Sequence, residues 1–289
     1  TKDAQSENDK RFIEGLMIKR AILFGGKAIV SILDTTSTVR EAVRIHGFST
    51  PVAIAMGKAL TVAAFMSAGF KGVGNKLTLI IDGDGEGGKM VLCGDFGAKV
   101  RGYIQNPKAC EGRQASVSDV VGKNGSLNVI KDFGLKEPYN GLAQIVNGNI
   151  DEDFAYYFTA SEQLPSAVAL GVKMQDGNCV KAGGIVVQPM PNCSEEEIFI
   201  LQDIVSNFTD VASLLCEKSA EEIMDFYFSH FEISHLPDIY EEYKCSCSRN
   251  RIEEMLLTLG KKEALEIVET QGEIQVGCEF CNSKYVFTK

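Results

Sequence analysis

Histidine is scarce in this chain: His46, His230 and His235 are the only three among 289 residues. None stands in an HExxH pattern and no GxSxG occurs, so the zinc-protease and serine-hydrolase signatures are both missing. Basic charge is in deficit as well, with 29 Lys and Arg against 39 Asp and Glu and a formal net charge of −10. A chain of that sign repels nucleic acid and anionic lipid as a whole. No uncharged apolar run reaches the ~20 residues of a bilayer span. The most apolar stretch, Pro51–Phe70, is broken by Lys58, and its longest uncharged part is Ala59–Phe70. It reads as a buried helix, capped by Thr50 with Pro51 at its first position. Thr1–Lys10 is polar and charged, which leads to the expectation of no secretory signal there and a cytoplasmic protein. Internal repeats and low-complexity tracts are lacking too.

Cysteine is what the chain does have. Nine cysteines without an export signal point to a reducing compartment, where thiols bind metal or react. Cys93, Cys110, Cys179, Cys193 and Cys216 are scattered singly and read as small buried apolar residues. The other four fall into two close pairs near the C-terminus.

Three regions are expected. The first, 1–191, is an α+β core domain. Ala21–Leu33, Leu77–Ile81, Met90–Leu92, Lys99–Ile104, Leu127–Phe133, Ala167–Val172 and Cys179–Val187 are rich in β-branched and apolar residues and read as strands. Thr35–His46, Pro51–Phe70 and Asp151–Gln163 read as helices. The second region, 192–242, is a helical linker that begins where Pro189 and Pro191 stop a strand. Ser194 with Glu197 is a capping box, followed at helical spacing by Ile198, Leu201, Ile204, Val205, Phe208, Val211 and Leu215. Ser219 with Glu222 repeats the signature and opens a helix carrying Phe226, Tyr227, Phe228 and Phe231. That aromatic group is a candidate for surface that is uncovered on activation, or else part of a permanent core.

The third region, 243–289, holds the paired cysteines. Cys245-Ser246-Cys247 and Cys278-Glu279-Phe280-Cys281 are separated by thirty residues. Four thiolates at the corners of a tetrahedron suit zinc, and two close pairs supply two corners each. The second pair lies between Glu273–Val276 and Lys284–Phe287, both strand-like, as in a zinc knuckle. Arg251–Leu259 and Lys261–Thr270 read as short helices ended by Gly260 and Gly272. About fifty residues are too few for a dependable core without a staple. The CxC adds a redox feature. A disulfide between its sulfurs would close a very small, strained and easily reduced ring. Metal-bound thiolates, already deprotonated, are nucleophilic toward peroxide or hypochlorous acid.

At these residues the sequence resembles the redox-regulated heat-shock chaperone family, heat-shock protein thirty-three. CSCSRNRIEEMLLTLG and GEIQVGCEFCNSKYVF carry that family's CxC and CxxC. VRGYIQNP (Val100–Pro107), YYFTASEQLPSAVALGV (Tyr156–Val172) and GGIVVQPMP (Gly183–Pro191) look like its other blocks, in the same order. The resemblance implies an ATP-independent holdase, not an enzyme, that binds unfolding or oxidatively damaged client proteins. It implies one zinc in the reduced form, held by Cys245, Cys247, Cys278 and Cys281. It also implies Cys245–Cys247 and Cys278–Cys281 disulfides on oxidation, and an oxidised homodimer. Zinc would tie residue 245 to residue 281, whereas those disulfides would close only tiny loops, releasing the chain between them.

Other motifs give way to simpler readings. Gly83–Lys89 nearly spells a phosphate loop, but Met90 replaces the Ser or Thr, and Asp82, Asp84 and Glu86 repel phosphate. A calcium loop starting at Asp82 fails at its twelfth position, Cys93. Both give way to a glycine-rich hairpin turn. A thiol–disulfide oxidoreductase is an alternative function, but its CxxC should open a helix after a strand. A zinc-dependent nucleic-acid binder is another, yet Lys244–Lys289 shows no basic stripe. No nucleic-acid or membrane partner is expected.

Overall fold

The computed structural model describes residues 17–259, 266–270 and 272–288. The polar segment Thr1–Lys10 lies outside the described residues. The chain divides into two compact units, one running to Tyr243 and the other beginning at Lys244.

The first unit opens with a hairpin of β1 (Met17–Leu23) and β2 (Ala28–Asp34), paired from Ile18↔Leu33 to Leu23↔Ala28. The sequence reading runs these together as one strand, Ala21–Leu33. Apolar character continues through the turn, so it hides the reversal, which is made by positive φ at Phe24, Gly25 and Gly26. Gly26, at φ 109°, occupies backbone space that a side chain rarely tolerates. Helix α1 (Thr36–His46) follows and ends at Gly47, a left-handed cap whose N–H bonds Val43 O.

Helix α2 (Thr50–Ala68) is the centre of the unit. It is long and apolar enough to cross a membrane, but 83% of its most apolar window is buried within the fold. Its N-cap is Ser49 rather than the expected Thr50, because Thr50 is already helical. The Ser49 hydroxyl donates to Ala109 O (2.6 Å) instead of capping the helix.

Next come β3 (Lys76–Gly83), β4 (Met90–Asp95), β5 (Lys99–Ile104), α3 (Val117–Val121), β6 (Gly125–Asp132) and β7 (Tyr139–Gln144). The Gly83–Lys89 segment is the β3–β4 turn, as expected. A Cβ on Gly85 would stand 2.4 Å from Val120 O, and Lys89 pairs with Asp82 at 2.8 Å. Helix α4 (Ile150–Ala160), β8 (Ala167–Gln175) and β9 (Asn178–Pro189) complete the α+β part.

Helices α5 (Glu195–Ser206), α6 (Val211–Glu217) and α7 (Ala220–Phe228) then cross the sheet, and β10 (Ile233–His235), β11 (Ile239–Tyr240) and β12 (Glu242–Tyr243) return to the sheet edges. Strand order is β10-β1-β2-β9-β8 in one sheet, with β11 also on β1, and β12-β5-β4-β3-β6-β7 in the other. Pairing is antiparallel except β12 with β5. The apolar residues of α2 join both sheets in one core with Leu77, Leu92, Val129, Phe154 and Phe158.

Both capping boxes form as the sequence predicts, at Ser194/Glu197 and Ser219/Glu222. The run from Ile198 to Leu215, however, is two helices rather than one, bent by 78°. Asp210 accepts from Ser213 N and starts the second helix, which turns Val211 and Leu215 onto the sheet. Leu201, Phe208, Val211, Leu215, Ile223 and Phe228 form a second core with Val30, Ile32, Ile185 and Val187. Glycines permit the approach: a Cβ on Gly171 would lie 2.3 Å from Ala212 N.

The second unit contains α8 (Arg249–Leu259), a helical segment at 266–270, and a hairpin of β13 (Ile274–Gly277) and β14 (Lys284–Phe287). The beginning of the expected Lys261–Thr270 helix, and Gly260, lie outside the described residues. Gly272, at φ 84°, donates to Val268 O and closes the 266–270 segment. Among the described residues of this unit, Ile252 and Val268 are the only buried apolar side chains.

Candidate metal centre

The CxxC sits in the β13–β14 turn. Cys278 N donates to Ser283 O (2.9 Å), and Cys281 N and Asn282 N donate back to Cys278 O at 3.3 and 2.8 Å. Asn282 takes φ 54°, which suits its short polar side chain. The result is a tight knuckle that aims both sulfurs to one side. A thioredoxin-type CxxC would instead begin a helix, so this geometry lacks the support for that reading.

The CxC enters from the other end of the unit, immediately before α8. Ser248 accepts from Arg251 N (3.3 Å) at the start of the helix. The Arg251 guanidinium donates to Ser246 O (2.9 Å) and Ser246 Oγ (3.1 Å), which fixes the residue between the two cysteines. Arg249 lies 4.5 Å from the centre of the Phe287 ring.

All four sulfurs, from Cys245, Cys247, Cys278 and Cys281, lie within 4.8 Å of one another, and each residue is half-buried. The close approaches run between the pairs, Cys245 to Cys278 at 3.6 Å and Cys247 to Cys281 at 3.3 Å. All are free thiols. A tetrahedron of ~2.3 Å zinc–sulfur bonds has edges of about 3.8 Å, so this set fits zinc in donor type, number and spacing. Bound there, zinc would hold four deprotonated sulfurs in one place and join the two ends of the unit.

The electrostatics agree with a shared site. Burial pushes the Cys245 and Cys278 thiols up. Burial also opposes ionisation of Cys281, but its hydrogen bonds with the Ser283 hydroxyl and backbone and with the Cys247 and Cys245 thiols outweigh it, bringing Cys281 down to about 7. Two hydroxyls touch the sulfurs: Tyr285 Oη lies 3.1 Å from Cys247 Sγ and Ser283 Oγ 3.2 Å from Cys281 Sγ. The hydrogen bond to Cys247 pushes the Tyr285 phenol up to about 12, so it keeps its proton. The sequence reading did not single out Tyr285; its place one strand-step beyond the knuckle was the only signal.

The five remaining cysteines lie in the first unit; Cys110 and Cys179 are buried and Cys93 and Cys193 half-buried, but Cys216, expected to be buried, is exposed near the end of α6. Burial raises Cys93, Cys110, Cys193 and Cys179, the last to about 11. Raised thiols are poor nucleophiles. Of the four linker aromatics, Phe228 is fully buried, Phe226 is 65% exposed, and Tyr227 and Phe231 are half-buried.

An α+β domain, helices laid on one of its sheets and a four-cysteine knuckle together define an α+β protein with a metal-type cysteine centre in a separate small unit. The chain belongs to the Hsp33 family: the family model described as "Hsp33 protein" matches residues 17–288. A curated relative from Ruminiclostridium cellulolyticum, named 33 kDa chaperonin, is 40% identical over 259 residues, covering 88% of each chain. One of the same name from Caldanaerobacter subterraneus is 37% identical over 281 residues, covering 95% of this chain and 96% of its own. Among solved structures, the 33 kDa chaperonin (heat shock protein 33 homolog) of Thermotoga maritima superposes with a TM-score of 0.85 at 31% identity, covering 95% of both chains.

Proposed function

We propose that this protein is an ATP-independent holdase, held inactive by zinc at Cys245, Cys247, Cys278 and Cys281 and activated by oxidation of those thiolates. The observation that carries the reading is the site's place in its unit. Four sulfurs from opposite ends converge within 4.8 Å, in a unit whose described residues bury only Ile252 and Val268 as apolar side chains. A structural zinc site contributes on the order of 10–16 kcal/mol of apparent folding free energy, far beyond two such side chains at ~1.5–3 kcal/mol each.

Oxidation by peroxide balances as follows. One thiolate of a pair attacks a peroxide oxygen; the O–O bond breaks, a sulfenic acid forms and hydroxide leaves. The second thiolate attacks that sulfur, forming S–S and releasing a second hydroxide. Two electrons pass from the two sulfurs to the peroxide, and two protons convert the hydroxides to water. Two peroxides therefore yield Cys245–Cys247 and Cys278–Cys281, the pairing that the family resemblance implies, and free the zinc.

Short-range disulfides cannot replace the long-range tie, so the C-terminal module, residues 243–289, unfolds. The linker, 192–242, then loosens from the core domain, 1–191. Leu201, Phe208, Ile223 and Phe228 come into solvent and bind apolar segments of unfolding clients. Dimerisation of the oxidised form and a cytoplasmic setting accompany this reading. No bond chemistry on a client is required, which accords with a protein that is not an enzyme.

The test is a single set of samples before and after peroxide at mildly elevated temperature. Zinc released, thiols lost and suppression of client aggregation are measured together. Expected are one zinc, four thiols and suppression only after oxidation. Retained zinc, or an oxidised protein that cannot hold a client, overturns the reading. The Cys278→Ser protein should lose zinc and a compact C-terminal module; if it stays loaded and compact, the ligand set is wrong.

A further inference from the structure

The four sulfurs are not equivalent. Cys247 and Cys281 each meet a hydroxyl, from Tyr285 at 3.1 Å and Ser283 at 3.2 Å. Cys245 and Cys278 instead receive backbone hydrogen bonds, from Cys247 and Phe280. The Ser283 contact is local, two residues from its cysteine. The Tyr285 contact spans 38 residues and is built by the fold.

Strand alternation explains it. Tyr285 and Phe287 share one face of β14, and they meet Cys247 and Arg249, which are likewise two residues apart. Register holds Tyr285 opposite Val276, so its ring is set by the hairpin rather than free to swing. The phenol can donate one hydrogen bond, and a thiolate is a charged acceptor.

A thiolate attacks oxidants through a sulfur lone pair. Donation into that sulfur stabilises the negative charge and draws density away from the reacting pair. The bond weakens as the sulfur gives up its charge in the transition state, so it slows the attack. Outer-sphere hydrogen bonds of this kind tune metal centres generally.

We propose that Tyr285 sets the order of attack within the CxC pair, by donating to Cys247 Sγ and damping the reactivity of that thiolate. This rests on the switch reading above. First attack then falls on Cys245 in the CxC pair, with Cys247 entering as the second thiolate that closes the disulfide. The stoichiometry is unchanged: one peroxide, two thiolates and two protons give one disulfide and two waters.

The experiment compares the zinc-loaded wild-type protein with Tyr285→Phe, which removes the hydroxyl and keeps the ring. Zinc release is followed with a chromogenic chelator over a range of peroxide doses. Tyr285→Phe should bind one zinc and, zinc-loaded, show a Cys247-to-Cys245 alkylation ratio under limiting iodoacetamide roughly three- to tenfold above wild type, the range for losing a hydrogen bond of ordinary net strength. An unchanged or lower ratio, with zinc loaded, overturns the proposal. A second measurement needs no variant. The wild type is treated with limiting iodoacetamide, whose iodide is displaced by the attacking sulfur, and the modified peptides are mapped by mass. Cys247 should be alkylated more slowly than Cys245; Cys247 reacting first overturns the proposal even if Tyr285→Phe does not fold. Wild-type protein that carries no zinc, or keeps it in peroxide, fails the switch reading instead.

Discussion

At the scale of single residues, Glu241 is the least expected group in the molecule. It is a carboxyl with 1% exposure, placed between the linker's last short strands. It accepts from Ser37 Oγ at 3.1 Å and from Thr38 Oγ1, both in the first turn of α1. Burial is the largest influence and, with the charge of Asp34 nearby, it outweighs those hydrogen bonds and pushes Glu241 up to about 7. Lys181 neutralises Asp34 at 2.5 Å but does not reverse the shift. The docked form thus holds a proton that an undocked carboxyl gives up near 4.5. Its stabilising contribution is complete below that pH and is lost as pH rises through about 7, by no more than ~3 kcal/mol. Raising the pH from 5 to 8 should therefore weaken docking of this segment, and Glu241→Gln should flatten the dependence. Urea melts of the reduced protein at the two pH values provide the check; an unchanged slope in the variant places the pH dependence elsewhere.

At the scale of elements, helices α5 to α7 are held by fit as much as by apolar area. Helix α6 reaches β8 and β9 because Gly171 and Gly183 leave no side chain in its path. A methyl at Gly171 would stand 2.3 Å from the Ala212 backbone nitrogen, an atom that cannot move without moving the helix. Gly171→Ala should cost about 1–3 kcal/mol of docking, as overpacking does. Amide exchange at 211–217 should accelerate in the reduced protein, and client aggregation should be suppressed at a lower oxidant dose. Unchanged exchange there would mean that the helix accommodates the methyl by a shift too small to loosen it.

For the whole molecule, the proposed switch requires unequal stability of its parts. The core around α2 joins two sheets, whereas the described residues of the C-terminal unit bury only Ile252 and Val268 beside four converging sulfurs. Hydrogen exchange on peroxide-treated protein should show a fixed order. Protection is lost first at 244–288, then at 195–240, while α2 and the β2–β9 pair keep theirs. Client binding with 195–240 still protected would place the client surface away from the docked helices.

Much of this was legible in the sequence, because it rests on local rules. Capping boxes at Ser194 and Ser219, the strands flanking the knuckle and the paired cysteine spacing each involve neighbours within a few residues. Those rules determined the α+β class, the buried helix and the four-cysteine set. They did not find the Phe24–Gly26 reversal, hidden in a continuously apolar run, or the 78° bend after α5, where helical spacing continues across the break. Strand order, the seat of Glu241 under α1 and the reach of Tyr285 to Cys247 were decided only in three dimensions. Each joins residues far apart in the chain, and local patterning says which face of an element is apolar or polar without saying what that face will meet.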